Sequence, residues 1–476
     1  MANDSTRRSF LKLSAMGLAA TASAEFSLAT SKPGAAPQSG EIAVRVTGGN
    51  SRHESAPSIG WSMASGPAEN TIALNSSKRF QEILGFGAAF TDAACYTFNR
   101  LDPSAREQLF HELFHPSEMG LSVCRTCIGS SDYSTDVFSY DEGEPDPEMR
   151  RFSIAHDQQY VLPMMRAARK QNPDLFLFAS PWSPPGWMKA GGSMLGGSMR
   201  QHYFAPYALY FVKFLEAYGA EGVPIQAVTV QNEVDTDQDG RMPACSWPQE
   251  YEMGFVKNHL GPMLEKNGLS TKIWILDHNY NLWGRAVAEL DDPGVRKYCN
   301  SVAFHGYVGT PDQMSKFHAV RPDASIYWTE GGPDYTQPDY ATDWANWGKT
   351  FTQILRNWAQ SITGWNLALD EKGQPNIGPF SCGGMVTIHS QTKEISYSGQ
   401  YWALEHFSRH VRRGARRFES VGKVPEVEHV ALENPEGGKV LVVTNSGDAK
   451  TVNLKQESKV AEVSLPAGSI STLTWR

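Results

Sequence analysis

The sequence of 476 residues has no uninterrupted apolar run of about 18 residues, the length that a membrane-spanning helix needs. It also has no surplus of basic residues, because 43 Lys and Arg stand against 51 Asp and Glu and give a formal net charge of −8. Nucleic-acid binding depends on clustered Lys and Arg that neutralise phosphates. The lack of a long apolar run therefore predicts no transmembrane span, and the charge balance predicts no nucleic-acid partner.

Cysteine is scarce, with six residues in the chain. Cys124 and Cys127 have the spacing of metal ligands or a redox pair, but no second CxxC and no HxxxH follows them. Their flanks predict a strand, in which side chains three residues apart point to opposite faces, so buried free thiols are the simpler interpretation. No phosphate-cradling glycine loop is present either. We expect no bound metal and no organic cofactor.

What the chain does contain is material for a large core, since 41% of its residues are hydrophobic and 20% are charged. This composition excludes a disordered or collagen-like protein. It also has 13 Trp and 17 Tyr. Core packing explains such a number, and so does a ligand with flat faces, such as a carbohydrate.

The first 24 residues predict an export signal. Arg7 and Arg8 precede Ser9-Phe10-Leu11-Lys12, a modestly apolar stretch follows, and Ala22-Ser23-Ala24 offers a small-residue cleavage site. The pattern resembles twin-arginine signals and implies a periplasmic or secreted protein; the alternative is a basic N-terminal helix of the folded domain. Residues 25–41 are rich in Ser, Ala, Pro and Gly and predict a flexible leader.

The middle of the chain alternates short apolar runs with longer helical patterns. The clearest helix, 203–221, places Phe204, Tyr207, Phe211 and Leu215 on one face. Eight such alternations predict a (β/α)8 TIM barrel over residues 81–386. Its predicted strands are 83–90, 121–127, 175–180, 227–231, 272–276, 301–304, 325–329 and 362–368.

Beyond residue 387 the pattern changes to short strand-like runs separated by turn clusters such as Pro466-Ala467-Gly468. Residues 387–476 therefore predict a small antiparallel β-sandwich. A strand near 42–46 would join it, so that residues 42–80 belong to the same side domain. The fold class is α/β, with the two ends of the chain meeting beside the barrel.

Two predicted barrel strands end in glutamate. Strand four leads into Asn232-Glu233, and strand seven leads into Thr329-Glu330. Catalytic residues of such barrels lie at the C-terminal ends of the strands. One glutamate alone would be read as a solvated strand end, whereas two facing carboxylates are what glycoside hydrolysis needs.

These motifs resemble glycoside hydrolase family 30, which includes acid β-glucosidase (glucosylceramidase) and β-1,6-glucanases. The resemblance covers nearly all of residues 80–476. It rests also on Gly85-Phe86-Gly87-Ala88-Ala89-Phe90, Ser180-Pro181-Trp182-Ser183-Pro184-Pro185-Gly186-Trp187, Gly364-Trp365-Asn366-Leu367 and Gln400-Tyr401-Trp402-Ala403-Leu404-Glu405.

The resemblance implies a retaining mechanism in which Glu330 is the nucleophile and Glu233 the acid/base, the latter with a raised pKa. It also implies that Asn232 holds the sugar 2-hydroxyl and that Asp132 accepts hydrogen bonds from other hydroxyls. Arg125 would pair with a catalytic carboxylate and keep it ionised, although a purely structural ion pair is the alternative.

The same resemblance nominates further substrate-binding residues. Trp182 and Trp365 would wall the sugar ring, or else fill the barrel. Tyr307 would donate to Glu330, and His305 would set the charge of the acid/base, unless it is a satisfied core histidine. Asn376 would lie near the acceptor side, although its surroundings predict an ordinary turn.

Substrate choice is the least determined feature. Val234 stands where the family often has proline, and loops 235–244 and 336–345 match nothing assignable. Trp344 and Trp347 near the second loop would contact a further sugar or a ceramide chain, or simply pack their helix. The favoured substrate is a β-glucoside such as glucosylceramide; the alternatives are an endo-acting β-1,6-glucanase on β-glucan and a non-catalytic carbohydrate-binding barrel. No oligomeric state is indicated.

Overall fold

The computed structural model describes residues 40–64, 66 and 68–476. The predicted signal peptide, 1–24, and nearly all of the predicted leader lie outside the described residues. Within the described part, no helix combines the length and apolar character needed to cross a membrane.

Eight parallel strands close into a barrel in chain order, which confirms the predicted (β/α)8 architecture. Each of the eight predicted strands is present, with ends that shift by one to three residues. The barrel strands, one to eight, are Gly85–Phe90, Val123–Cys127, Phe176–Ser180, Ala227–Thr229, Lys272–Asn279, Ser301–His305, Ser325–Glu330 and Ser361–Asn366.

Helices surround the barrel, and the amphipathic segment predicted at 203–221 is the longest of those described. Three of the described helices are Pro103–Phe114, Trp283–Asp291 and Gly399–Ser408. The others are Asp92–Asn99, Val161–Gln171, Phe204–Ala220, Gln249–Phe255, Gly261–Lys266, Pro293–Arg296, Asp312–Val320 and Trp344–Arg356.

The side domain is a ten-stranded sheet system that both ends of the described chain enter. Its first strand pairs antiparallel with its last, with Ala43 opposite Thr474, as the fold prediction required. The strands are Glu41–Gly48, Ser51–Gly60, Ser62–Met63, Thr71–Glu82, Arg416–Val421, Val427–Glu433, Lys439–Asn445, Lys450–Gln456, Lys459–Leu465 and Ser469–Trp475. A separate small sheet of Ala368–Leu369, Val386–Ile388 and Ile395–Tyr397 follows barrel strand eight.

Two helices join the barrel to the side domain. On Trp344–Arg356, the indole of Trp344 is buried and donates to the carbonyl of Gly468 at 2.8 Å. On Gly399–Ser408, the buried His406 ring lies 2.8 Å from the hydroxyls of both Thr47 and Thr472. Trp344 therefore packs between the domains, and the hypothesis that it contacts substrate is wrong.

The interior of the barrel consists of an apolar layer with a polar layer above it. The apolar layer contains Val123, Phe178, Ala227, Trp274, Ala303 and Tyr327. Because strand residues two apart point to the same face, the next inward position on five of these strands is polar. Those polar positions are Arg125, Ser180, Thr229, His305 and Thr329, all fully buried. The candidate site is built on this layer.

Candidate active site

Asp277 is the centre of the polar layer, and it reaches the interior through a β-bulge. Strand six pairs Ala303 with Leu276 but Phe304 with His278, so Asp277 is an extra residue in strand five. Leu276 and Asp277 both have positive φ, at 73° and 45°. Since side chains alternate along a regular strand, the bulge is what aims Asp277 inward in place of Leu276.

The Asp277 carboxylate is fully buried and accepts five hydrogen bonds from the surrounding strands. Its donors are Arg125 Nη2 at 2.7 Å, Ser180 Oγ at 2.8 Å, Thr229 Oγ1 at 2.7 Å, Thr329 Oγ1 at 2.8 Å and His305 Nε2 at 3.0 Å. Burial alone would raise the pKa of Asp277, but the charge of Arg125 and the contact with His305 hold that pKa far below its ordinary value.

Arg125 connects Asp277 to Glu330. Its guanidinium donates from Nη1 to Glu330 Oε2, from Nη2 to Asn232 Oδ1 at 2.7 Å, and from Nε to Ser180 Oγ at 3.1 Å. Burial lowers the pKa of Arg125, but the charges of Asp277 and Glu330 outweigh burial and raise it. Arg125 is therefore a permanent cation at the floor of the site, and its four partners fix its orientation.

Glu330 ends strand seven with both carboxylate oxygens engaged. Oε2 accepts from Arg125, and Oε1 accepts from the Tyr307 hydroxyl at 3.0 Å. These two contacts, one of them with a charged donor, hold the Glu330 side chain in a defined orientation.

Glu233 follows strand four in a left-handed conformation, with φ of 55°. Its backbone N–H donates to the Asp277 carbonyl at 3.0 Å, and its Oε2 accepts from Gln238 Nε2 at 2.7 Å. Burial raises the pKa of Glu233, but the contact with His305 and the charge of His278 bring the net pKa below its ordinary value. This direction is opposite to the raised pKa expected of a general acid, and it applies to the ligand-free protein.

His305 lies between the two glutamates. Its Nδ1 is 3.5 Å from Glu233 Oε1, and its Nε2 is 3.9 Å from Glu330 Oε2. Burial lowers the pKa of His305, but the charges of Glu330, Asp277 and Glu233 raise it to about 9. The imidazole therefore carries a proton at neutral pH, next to Glu233.

Both glutamates open into one cavity of about 230 Å³. Asp132 also lines it, and Asp132 Oδ1 is buried without a hydrogen-bond partner among the described residues. Burial, and then the charges of Glu330 and Glu233, raise the pKa of Asp132 well above its ordinary value. The cavity is lined by Asp132, Trp182, Asn232, Glu233, Gln238, Met242, Tyr307, Glu330, Trp365, Phe380 and Cys382.

Trp182 and Trp365 are stacked on each other, with ring centroids 5.0 Å apart and an angle of 22° between the planes. A separation that small leaves no room for a ligand between the rings, so the pair forms one wall of the cavity. Arg125 lies 4.7 Å from the centroid of Trp182, within cation–π distance. The wall and the charged floor are therefore one packed unit.

Three predicted site residues do not line the cavity: Arg125 and His305 are fully buried beneath it, and Asn376 lies in a turn beside it. Asn376 Nδ2 donates to the carbonyl of Phe380 at 2.7 Å, and its Oδ1 accepts from the N–H of Gly378 at 2.7 Å. These bonds hold the side chain within its own turn, and its contact with substrate stays a prediction. The turn nevertheless supports the cavity, because Ile377 N–H donates to the carbonyl of Asp132 at 2.8 Å.

Several residues of this site were not predicted from the sequence. Asp277 and His278 directly follow predicted strand five, so the rule that identified Glu233 and Glu330 would have found them at another strand end. Gln238 lies in loop 235–244, and Phe380 and Cys382 lie after strand eight, where no periodic pattern singles them out.

All six cysteines are free thiols, and burial raises the pKa of Cys124 to about 12.

A closed parallel barrel with two glutamates facing one cavity, at the ends of strands four and seven, is an arrangement suited to glycoside hydrolysis. Residues 83–411 match the family model "Glycosyl hydrolase family 30 TIM-barrel domain", and residues 414–473 match "Glycosyl hydrolase family 30 beta sandwich domain". The chain belongs to glycoside hydrolase family 30 and is an O-glycosyl hydrolase, as the sequence motifs predicted.

Its relatives include two kinds of family member. "Putative glucosylceramidase 1" of Caenorhabditis elegans is 32% identical over 397 residues, covering 79% of this chain and 76% of that protein. "Endo-1,6-beta-D-glucanase" of Neurospora crassa is 32% identical over 412 residues, covering 83% and 84%. The solved structure of an endo-β1,6-glucanase has a TM-score of 0.83 at 27% identity, and the match covers 91% of this chain and 99% of that one.

We predict that Asp277→Asn destabilises the fold by about 3–5 kcal/mol at neutral pH, because it leaves the buried Arg125 short of a countercharge. The folded-state pKa of Asp277 is depressed, so its contribution to stability is present above the ordinary Asp pKa of about 3.9 and is lost as the pH falls below it. The difference in free energy of unfolding between the two proteins should therefore shrink in acid.

Urea titrations of both proteins from neutral pH to about pH 3 measure this difference. Asp448→Asn is the matched control, since Asp448 is exposed on the side domain and its substitution should change stability by less than about 0.5 kcal/mol. Equal stability of Asp277→Asn and the native protein at neutral pH would contradict the central role of Asp277.

Proposed function

We propose that the protein is a retaining β-glycosidase that releases a β-linked glucosyl unit by double displacement. Glu330 attacks the anomeric carbon, while Glu233 protonates the leaving oxygen and then activates the water that hydrolyses the glycosyl-enzyme. The observation that carries the proposal is that these two carboxyl groups share one cavity but have different partners. Glu330 is fixed by Arg125 and Tyr307, whereas Glu233 faces histidine.

The environment of Glu330 suits a nucleophile. A nucleophilic carboxylate must be ionised and correctly oriented before the substrate arrives. Arg125 places a positive charge beside Glu330, and Asp277 holds Arg125 in place. Buried residues of the barrel strands therefore fix the orientation of Glu330. Tyr307 holds the second oxygen and would keep donating to it as its charge is lost in attack.

The environment of Glu233 suits an acid that later becomes a base. In the free enzyme its pKa is lowered and that of His305 is raised, so the proton of the pair lies on the imidazole. Glu233 Oε1 is the oxygen that faces this imidazole. We place the proton needed by the leaving group within the Glu233–His305 pair, from which Glu233 delivers it.

The cavity suits a single sugar ring. Its volume of about 230 Å³ is below the ~300–1,000 Å³ of typical drug-sized ligand pockets. Asp132, whose pKa is raised by burial and whose Oδ1 has no partner within the described part of the chain, would accept hydrogen bonds from sugar hydroxyls. Asn232 accepts from Arg125 through Oδ1, which leaves its NH2 group to donate to the 2-hydroxyl.

The rim of the cavity favours an apolar aglycone. Two residues that line the cavity are exposed, Tyr307 at 44% and Phe380 at 41%. Exposed apolar side chains gathered at the mouth of a pocket mark a contact surface for an apolar partner. We therefore favour a glucosylceramide-like substrate, the class named for the C. elegans relative.

A second candidate is endo-acting cleavage of a β-1,6-glucan, the activity named for the N. crassa relative. A specific observation favours it: Tyr307 also lines a second cavity of about 310 Å³, together with Trp347 and Asp334. An aromatic ring and a carboxylate beside the glycone cavity would suit a further sugar. The hypothesis of a substrate contact therefore remains for Trp347 but not for Trp344.

The cellular location is proposed from the first 24 residues alone. Twin-arginine export would place the folded enzyme in the periplasm or outside the cell.

We predict that Glu233→Ala slows cleavage of substrates with poor leaving groups by about 10²–10⁴-fold, the usual contribution of general acid catalysis. Aryl β-glucosides with an acidic phenol should lose far less in the first step, because the phenolate departs unprotonated. Added azide should restore turnover and yield β-glucosyl azide, detectable by NMR.

The matched control is Gln238→Ala, which removes a partner of Glu233 but keeps the carboxyl group, and for which azide should give no rescue. Equal losses on both substrate types in Glu233→Ala, without azide rescue, would show that Glu233 is not the acid/base.

We predict that the enzyme cleaves glucosylceramide in detergent and leaves β-1,6-glucan largely intact. Phe380→Ala should lower kcat/KM for glucosylceramide by about tenfold, because it removes part of the apolar area that the rim buries on binding. Trp347→Ala should change it little.

Product analysis by mass spectrometry distinguishes the two candidates. Rapid release of gentio-oligosaccharides from the polymer, lost in Trp347→Ala and retained in Phe380→Ala, would overturn the favoured substrate and establish the glucanase.

A further inference from the structure

Glu233 Oε1 lies between two imidazole nitrogens. His278 Nδ1 is 3.6 Å away and His305 Nδ1 is 3.5 Å away. Both nitrogens are buried, and neither has a hydrogen-bond partner among the residues that the structure describes. Buried polar atoms are nearly always paired, so two unpaired nitrogens aimed at one carboxylate oxygen call for an explanation.

Each histidine is oriented by a second carboxylate on its other nitrogen. His278 Nε2 contacts Asp235 at 2.5 Å, and His305 Nε2 contacts Asp277 at 3.0 Å. A carboxylate behind an imidazole fixes its tautomer, directs the opposite nitrogen forward and increases its basicity. Proteins use this arrangement to present histidine to a metal ion.

The three donor atoms have the spacing of metal ligands. Four-coordinate Zn²⁺ at about 2.0–2.1 Å from nitrogen and oxygen has neighbouring ligands about 3.3–3.4 Å apart. The two measured separations are 3.5 and 3.6 Å, and all three atoms lie within 4.8 Å of one another. Small side-chain rotations would bring the two imidazole nitrogens, the third pair of donor atoms, to the same separation. Of the three residues, Glu233 lines the cavity that the two glutamates share.

The surrounding charge favours a dication. A metal ion would displace the proton that His305 carries in the free protein, because a ligating imidazole must be neutral. The group would then contain the carboxylates of Glu233, Asp235, Asp277 and Glu330 beside the guanidinium of Arg125. Two imidazole nitrogens and one carboxylate match the ligand preference of Zn²⁺ and neighbouring transition metals, whereas Mg²⁺ and Ca²⁺ require oxygen ligands.

We propose that Glu233, His278 and His305 form a binding site for a Zn²⁺-type cation, and that its occupation switches the glycosidase off. The metal takes the carboxylate oxygen that would otherwise deliver the proton, so a leaving group that needs protonation no longer departs. The binding site stands on geometry alone; only the inhibition rests on the proposed function.

Isothermal titration calorimetry of the full chain with ZnCl2, after treatment with a chelator, tests the site. The native protein should bind one equivalent at this site. His278→Gln and Glu233→Gln should each lower the affinity by more than tenfold, and Asp235→Asn, which removes only the orienting carboxylate, by about 10–100-fold. MgCl2 should give no binding.

A matched control guards against an adventitious site. His111 and His115 stack on the surface with ring centroids 4.4 Å apart, in positions where a helix could chelate a metal. The double variant His111→Gln/His115→Gln should keep the native Zn²⁺ affinity. Loss of binding in this variant, or unchanged affinity in His278→Gln, would overturn the proposal.

Inhibition is measured in parallel, as the Zn²⁺ concentration that halves hydrolysis of a β-glucoside with a poor leaving group. It should rise in Asp235→Asn by the same factor as the dissociation constant. Specific Zn²⁺ binding without any glycosidase activity would refute the proposed function and leave the site standing. Glycosidase activity without Zn²⁺ binding at Glu233 would refute the metal site and leave the proposed function standing.

Discussion

The interaction on which the site depends is the buried contact of Arg125 with Asp277 and Glu330. All three side chains are almost completely removed from solvent. A buried charge without a partner is strongly destabilising, so none of the three can be removed without a cost to the other two. The candidate nucleophile, Glu330, is therefore linked to the barrel through Arg125, whose buried positive charge needs both carboxylates as partners.

The barrel supplies this arrangement through its alternation of side chains. Val123 and Phe178 fill the lower interior, and two residues further along the same strands Arg125 and Ser180 form the polar layer. The apolar layer excludes water beneath the charges, which strengthens every electrostatic interaction above it. The bulge at Asp277 provides the anion that this layer needs. The bulge thus orients the candidate nucleophile, Glu330, through Arg125. Through His305 it also sets the protonation of the candidate acid/base, Glu233.

Much of this could be predicted from the sequence, because strand runs and their polar ends are local signals. Glu233 and Glu330 follow apolar strands directly, and the structure brings them to one cavity. Asp277 also follows a predicted strand, but its inward direction could not be predicted, because period-two alternation places Leu276 inward and only the bulge reverses this. The internal hydrogen bonds of Asn376 could not be predicted, since its sequence motif carries no information on whether the turn engages its amide. Trp344 points into a contact between domains, which no local pattern specifies.

The most direct test of the account is covalent trapping of the enzyme with an activated 2-deoxy-2-fluoro-β-glucoside, followed by peptide mapping in a mass spectrometer. The fluorine slows hydrolysis of the glycosyl-enzyme, so the carboxylate that attacks the anomeric carbon keeps the label. The account predicts stoichiometric labelling of Glu330 and loss of labelling in Glu330→Gln. Labelling of Glu233 or Asp132, or turnover by Glu330→Gln at a rate near that of the native enzyme, would contradict it.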